Sequence, residues 1–246
     1  MIVIVLVLLM VPAGAMAQGG PPLMTDDPDT PGPGRWEINL ANIVEKSQRQ
    51  RRLEAPLADV NYGVGERIQL KFELPWLTAG DTGTPAQTGA GNSRVGVKWR
   101  FLGGERQRLA WSTYPQLEIN TGRSMTERGF LERGLQLFVP TELTLQVGHL
   151  ELNGEVGRNF AERDDGEWSF GLAAEVEAHP RFELLGELHG ERSNASPTEL
   201  VVNVGGRQKI TRQTIMLVAV GRGVSGSPED RLRLRLYVGV QVRPLR

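Results

Sequence analysis

Residues 232–242, LRLRLYVGVQV, constrain the fold of this chain more than any other segment. Apolar residues fill every second position from Leu232, and Arg233, Arg235 and Gln241 lie between them. Because successive side chains of a β-strand point to opposite faces, this alternation predicts a strand with one apolar and one polar surface. The same pattern recurs at residues 67–74, 94–101, 150–156, 168–176 and 182–188.

Period-2 alternation predicts about twelve strands, near residues 35–44, 53–62, 67–74, 94–102, 109–120, 134–146, 150–159, 167–178, 182–192, 199–206, 213–222 and 232–242. Tight connections are expected at 63–66, 103–108, 147–149 and 179–181, and longer polar ones at 45–52, 75–93, 121–133, 160–166 and 223–231. Short turns at one end and long loops at the other are typical of outer-membrane barrels. The sequence therefore predicts an all-β fold, an antiparallel transmembrane up-and-down β-barrel.

The N-terminus indicates export. Residues 1–11 are an unbroken apolar run, and small residues follow to position 17 with alanines in the A-x-A positions. This pattern predicts a signal peptide over residues 1–17, with a short membrane anchor as the alternative. Residues 18–34 are rich in Pro, Gly and Asp and are expected to form an extended periplasmic lead-in. The barrel is then expected to span residues 35–246.

Composition excludes several functions. The chain has no cysteine, so it has neither disulfides nor a thiolate nucleophile. Its 28 basic and 29 acidic residues are spread along the sequence, so no basic stripe marks a nucleic-acid partner. No P-loop or G-x-S-x-G element occurs. We expect no enzymatic activity, no cofactor and no metal site; the clustered Asp26, Asp27 and Asp29 fit turn chemistry better than calcium ligation.

Several motifs resemble a family of bacterial outer-membrane proteins named for the meta-cleavage pathway of phenol degradation. They are GPPL at 20–23, TDDP at 25–28, GRWEIN at 34–39, VNYGV at 60–64, GVKWRF at 96–101 and GRG at 221–223. The resemblance implies a transporter-like barrel in the outer membrane of a Gram-negative bacterium. Its expected partners are outer-membrane lipid, the barrel-insertion machinery and a small-molecule solute.

If the apolar faces meet lipid, the polar faces line a lumen with two charged walls. The acidic wall is predicted to consist of Glu151, Glu155, Glu175, Glu177, Glu183, Glu187 and Glu191, and the basic wall of Lys98, Arg100, Arg233 and Arg235. A field between these walls would orient polar or amphiphilic solutes. Alternatively, the same ion pairs would fill the interior and close it.

The sequence therefore favours a channel for uptake of small molecules, and the family name suggests aromatic or hydrophobic compounds. Two alternatives stay open. One is a structural or enzymatic barrel with a closed lumen. The other is an exported soluble barrel that binds an apolar ligand, with Leu232, Leu234 and Leu236 turned inward. The segment 75–93 is expected to be a flexible loop, folded inward as a constriction or lying outside.

Overall fold

The computed structural model describes residues 20–104, 107–162, 166–194 and 196–244. The predicted signal peptide, residues 1–17, lies outside the described residues. The elements are β1 (Trp36–Lys46), β2 (Gln50–Val64), β3 (Ile68–Asp81), β4 (Gln87–Ala90), β5 (Ser93–Leu102), β6 (Leu109–Thr113), β7 (Gln116–Ile119), α1 (Arg123–Glu127), β8 (Gln136–Val147), β9 (Leu150–Ala161), β10 (Glu167–His179), β11 (Phe182–Arg192), β12 (Glu199–Lys209), β13 (Thr214–Ser225) and β14 (Leu234–Val242). No helix among the described residues has the length and apolar character needed to cross a membrane.

The strands form one closed antiparallel sheet. The last strand, β14, pairs with β13 on one side and with β1 on the other, where Leu40 lies opposite Val240. Strands β4 and β5 follow one another along β3, and β6 and β7 follow one another along β8. The fourteen segments therefore make twelve crossing strands, which confirms the predicted fold.

The break between β6 and β7 has a local cause. Pro115 has no N–H to donate to a neighbouring strand, although its carbonyl still accepts the Val97 N–H at 3.0 Å. Tyr114 remains in the inward phase of the alternation and is fully buried. The hydrogen-bond ladder between strands is thus interrupted at Pro115, but the side chains before and after it keep the same inward and outward alternation.

The barrel has two unlike ends. The turn end carries the connections β2–β3, β5–β6, β8–β9, β10–β11 and β12–β13, and the loop end carries β1–β2, β3–β4, β7–β8, β9–β10, β11–β12 and β13–β14. Two of the predicted long loops are wrong. Strands β1 and β2 close around residues 47–49, and most of segment 75–93 is a hairpin of β3 and β4 with a turn at 82–86. The small side chains of that segment show no alternation, but its backbone can still pair.

The inward-folded loop is instead residues 120–135, which contain α1. Met125 of α1 is fully buried against Leu77 and Ala79 on the inner face of β3, with Phe130 and Leu131 packed beside them. The loop end of the lumen is therefore narrowed over β3 and β4.

An apolar band covers the outside of the barrel. Leu172, Val238 and many other outward residues are exposed, as are all five tryptophans: Trp36, Trp76, Trp99, Trp111 and Trp168. Trp99 and Trp111 flank Phe101 at the turn end, with ring centroids 5.6 and 5.3 Å from it. Aromatic residues at both ends of an apolar band are the pattern of a membrane barrel.

The outward phase also contradicts the soluble ligand-binding barrel. Leu234 is exposed at the start of β14, whereas Arg235 and Tyr237 are buried on the inner face. The apolar side of this strand therefore faces away from the lumen.

If these outward residues face lipid, a charge introduced among them should lower the stability of the barrel most near the middle of the membrane. Leu172 is 58% exposed near the middle of β10, and Val224 is 55% exposed next to the loop-end terminus of β13. In phospholipid vesicles we expect Leu172→Arg to lower the free energy of unfolding by roughly 2–4 kcal/mol and Val224→Arg by roughly 0–1 kcal/mol. Denaturant titration of the refolded variants measures both, and equal costs would contradict the membrane band.

Candidate functional site: the occluded lumen

The lumen is occupied by residues 20–34, here named the plug segment. It reaches the middle of the barrel, where Thr25 is fully buried, and returns to the turn end, where β1 begins. The sequence predicts a lead-in ahead of the barrel, whereas the structure places this segment inside the ring of strands. The physical reason is that its Pro- and Gly-rich backbone has unpaired polar groups, and the charged inner wall supplies partners for them.

Glu187 of β11 holds the innermost part of the plug segment. Its carboxylate accepts the backbone N–H of Met24 at 2.9 Å and that of Thr25. It also accepts the Asn203 side-chain amide of β12 at 2.6 Å. Hydrogen bonds to an ionised acceptor are stronger than neutral ones, so this carboxylate is a strong anchor.

Lys98 of β5 holds the segment from the opposite side. Its Nζ donates to Asp26 Oδ1 at 3.0 Å and to the carbonyl oxygen of Asp27. The same ammonium lies 3.4 Å from Glu142 and 4.6 Å from the centre of the Tyr114 ring. This fully enclosed cation is thus neutralised jointly by the wall and by the plug segment.

Two arginines fix the parts of the plug segment nearer the turn end. Arg100 pairs with Asp29 at 2.9 Å. Arg207 of β12 donates from Nε to the Pro21 carbonyl at 3.0 Å and from Nη2 to the Gly20 carbonyl at 3.1 Å. The plug segment is therefore held mainly by charged side chains from several strands.

Close backbone approach completes the fit. A Cβ at Gly171, on the inner face of β10, would overlap the Thr25 side chain, and a Cβ at Gly63 would overlap the Gly32 carbonyl. At these two positions the wall has no side chain, and a larger residue there would push the segment away.

The aspartates of the plug segment serve as turn and ion-pair residues. Asp27 Oδ1 accepts the Asp29 N–H at 2.7 Å, which is an Asx turn as the sequence suggests. Burial raises the pKa of the Asp27 carboxyl well above its ordinary value, and the charge of Asp29 adds to the effect. Within the described parts of the chain, no three His, Asp or Glu side chains are grouped as a metal ion requires.

The predicted acidic wall faces inward, with five members buried: Glu151, Glu155, Glu175, Glu183 and Glu187. Glu177 and Glu191 are half-buried near the turn end and the loop end. The wall is not uniformly acidic, because Arg207 lies 2.6 Å from Glu175 and 3.7 Å from Glu183. Arg207 is not among the predicted wall residues, although it lies in the inward phase of β12.

Of the predicted basic wall, Lys98, Arg100 and Arg235 are buried. Arg233 is the exception. It precedes β14, is exposed at the loop end and donates to Gln48 Oε1 at 2.8 Å. Arg233 lies in the polar phase of the alternation, but β14 begins only at Leu234, so Arg233 lies outside the strand and does not line the lumen.

A ladder of ion pairs on β3, β5 and β7 was also missed. Lys71 lies 3.1 Å from Glu73, and Arg94 lies 3.3 Å from Glu73 and 3.1 Å from Glu118. The signal was present in the sequence, because Lys71 and Arg94 occupy the same alternating phase as their inward neighbours.

Part of the inner wall is apolar, contrary to the prediction of a polar lumen. The buried inward residues of β1, β2, β13 and β14 form one cluster, here named the apolar wall: Ala41, Leu57, Ile215, Leu217, Ala219 and Tyr237. Strand β13 is therefore apolar on both faces, since Met216, Val218 and Val220 are exposed on its outside.

A cavity of about 400 Å³, here named the vestibule, lies on the loop-end side of the plug segment. Leu57 and Tyr237 of the apolar wall line one part of it, and Glu73, Arg94 and Glu118 line another. On the other side of the segment, a much smaller cavity of about 20 Å³ lies among Asp27, Asp29 and Lys98. Of these two cavities, the one on the loop-end side is by far the larger.

Comparison with known proteins identifies the fold. The chain is similar to the COG4313 outer membrane channel from Pseudomonas putida F1, with 11% identity and a TM-score of 0.68 over 89% of this chain and 98% of that one. It is also similar to the KdgM porin (13%, TM-score 0.59, 84% and 98%) and the NanC porin (9%, TM-score 0.57, 85% and 100%). No family model matches the sequence, and no curated protein does. The chain has the fold of outer-membrane channels.

The role of Glu187 as an anchor can be tested with one cysteine. The chain has none of its own, so Thr25→Cys creates a unique, fully buried thiol on the plug segment. We expect Glu187→Ala in this background to raise the rate of modification by a water-soluble thiol reagent at least tenfold. The reason is that the variant removes two charge-assisted hydrogen bonds, each contributing about 1.5–3 kcal/mol.

Glu177→Ala is the matched control, since Glu177 belongs to the acidic wall but makes no hydrogen bond to the plug segment within the described residues. Equal modification rates in the two variants would show that Glu187 does not anchor the segment.

Proposed function

We propose that this protein is an outer-membrane channel for small molecules and that the plug segment is its gate. In this proposal the chain is exported, is inserted by the barrel-insertion machinery of a Gram-negative bacterium and carries no enzymatic activity. Its loop end faces outward. The observation that carries the proposal is the position of the plug segment, which separates an open vestibule from a filled turn-end half.

The chemistry of the contacts supports a gate over a permanently closed barrel. The plug segment is held mainly by Glu187, Lys98, Arg100 and Arg207, and its Leu23 packs on Ala173 and Leu185 of the wall. Water can replace such polar contacts, so each contributes only about 0.5–3 kcal/mol net to holding the segment in place. Displacement is therefore cheaper than unfolding of an apolar core.

The lining of the vestibule supports a solute with an apolar body and a polar group. The apolar wall offers Leu57 and Tyr237, and the ion-pair ladder of Lys71 and Arg94 faces the same space. This agrees with uptake of aromatic or hydrophobic compounds, which the resemblance to the phenol-pathway family suggests. The motif residues GPPL and TDDP of that resemblance lie within the plug segment.

The predicted field between the walls belongs to the same proposal. With the plug segment displaced, Glu155 and Glu187 would no longer be bonded to it, and Lys98 would lose Asp26. The two walls would then act on the passing solute instead.

Gly171→Val tests the gate. The added side chain would occupy the place of Thr25, so we expect the variant to show stepwise conductance in planar bilayers several times that of the wild type. Gly186→Val is the matched control, because a Cβ at that position of β11 meets no atom within 4 Å. Insertion of all three proteins is checked by heat-modifiable gel mobility.

Equal conductance of the two variants would reject the plug segment as the gate. Absence of conductance in folded Gly171→Val would instead favour the closed-lumen barrel.

The solute preference is tested in the Gly171→Val background by reversal potentials with benzoate and acetate, two anions that differ in apolar surface. Leu57→Asn makes the apolar wall more polar. It should lower the permeability of benzoate relative to acetate by roughly threefold, because the benzoate ring loses its apolar contact with the Leu57 side chain. An unchanged ratio would show that the apolar wall does not select the solute.

A further inference from the structure

The outer face of the barrel carries charge at one end only. Five basic residues occupy outward positions, all in the loop-end half of their strands: Lys46, Arg51, Arg158, Arg192 and Arg222. Among the described strands, no carboxylate occupies an outward position, and the outward positions at the turn end are uncharged. This asymmetry serves no purpose in the lumen, because these side chains point away from it.

Three of the five form a row across β2, β1, β14 and β13, here named the basic row. Lys46 pairs with Arg51 on one side and with Leu234 on the other. Gly221 pairs with Arg235, so Arg222 follows at the level of Leu234. Because neighbouring strands lie about 4.8 Å apart, the three cations span roughly 15 Å of the barrel surface.

The basic row has no internal partner. Lys46, Arg51 and Arg222 are exposed, and none of them makes an ion pair with another described residue. Unpaired cations at the edge of an apolar band are stabilised by anionic headgroups at the same depth. Arginine in particular matches phosphate, because its planar fork donates two parallel hydrogen bonds.

Directly below the basic row, the outer face is apolar. Val44 of β1, Leu236 of β14 and Val220 of β13 follow on the same face towards the turn end. A partner that fits both parts has phosphate groups next to acyl chains. On β9 to β11, Arg158 and Arg192 flank Trp168 in register, which extends the same arrangement around the barrel.

We propose that the basic row binds the phosphates of the acylated glycolipid in the outer leaflet of the outer membrane. The acyl chains lie along the apolar strip below it. The binding rests on the proposed location and orientation of the barrel but does not depend on conduction. This binding would also favour the orientation in which the loop end faces outward. In that orientation the basic row lies at the glycolipid phosphates, and the uncharged strand positions of the turn end lie at the phospholipid headgroups of the inner leaflet.

The triple variant Lys46→Gln, Arg51→Gln, Arg222→Gln tests the proposal. Folded protein in neutral detergent is titrated with bis-phosphorylated lipid A, and bound lipid is counted by native mass spectrometry. We expect the variant to bind roughly tenfold or more weakly than the wild type, since each cation near an anionic lipid surface contributes substantially. Dephosphorylated lipid A should bind equally to both proteins.

The matched control removes three exposed arginines from the turn end, by Arg67→Gln, Arg181→Gln and Arg212→Gln. It carries the same change of net charge and should bind lipid A as the wild type does. Equal loss in both triple variants would overturn the proposal, because general charge would then explain the binding. Equal binding of phosphatidylglycerol and lipid A by the wild type would also overturn it, since any lipid phosphate would then serve.

The conductance of the basic-row variant in the Gly171→Val background separates this proposal from the channel. We expect it to be unchanged. If the triple variant no longer prefers lipid A to its dephosphorylated form while its conductance is unchanged, the lipid site is supported. If the barrel does not conduct but still prefers lipid A, only the channel proposal is rejected. Lipid A binding that is unaffected by the triple substitution would reject the lipid site.

Discussion

The pairing of β14 with β1 is the constraint on which the rest of the structure depends. Lipid offers no partner for a backbone N–H or C=O, so a sheet in a membrane can have no open edge. Nine residue pairs, from Ile38 opposite Val242 to Lys46 opposite Leu234, remove that edge. Closure then divides every strand into an outward apolar face and an inward face, and it creates an enclosed space that must be filled, hydrated or gated.

The enclosed space is filled by the chain itself. A wall rich in buried charge needs partners, since an isolated ion in a confined interior is costly. Part of the charge is balanced within the wall, where Arg207 pairs with Glu175 and Glu183. Another part is balanced by the plug segment, where Asp26 pairs with Lys98. The plug segment is thus an internal ligand of the wall. Its removal would expose these charges to water, so the same contacts that occlude the lumen suit the proposed channel.

The two ends of the barrel differ in their cavities, in their packing and in their outward charges. The loop end has the vestibule, the inward-folded loop around Met125 and the outward cations, whereas the turn end has the filled lumen and the Trp99–Phe101–Trp111 cluster. The apolar wall adds a difference around the circumference, because β13 is apolar on both faces. A barrel with such polarity along its axis fits a membrane whose leaflets differ in chemistry.

The sequence by itself determined the strands and their faces. Alternation is a local property, so it located the twelve strands and put residues such as Glu187 and Lys98 on their polar faces. It left open whether the apolar faces point outward, which the structure decides. It did not place the plug segment, because the contacts of residues 20–34 with β5, β9, β11 and β12 join positions more than 60 residues apart. It also could not find the hairpin in 75–93, whose pairing rests on the backbone, or the basic row, which depends on register around the closed ring. Only closure brought those residues together, since their neighbours in space are set by strand pairing and not by order along the chain.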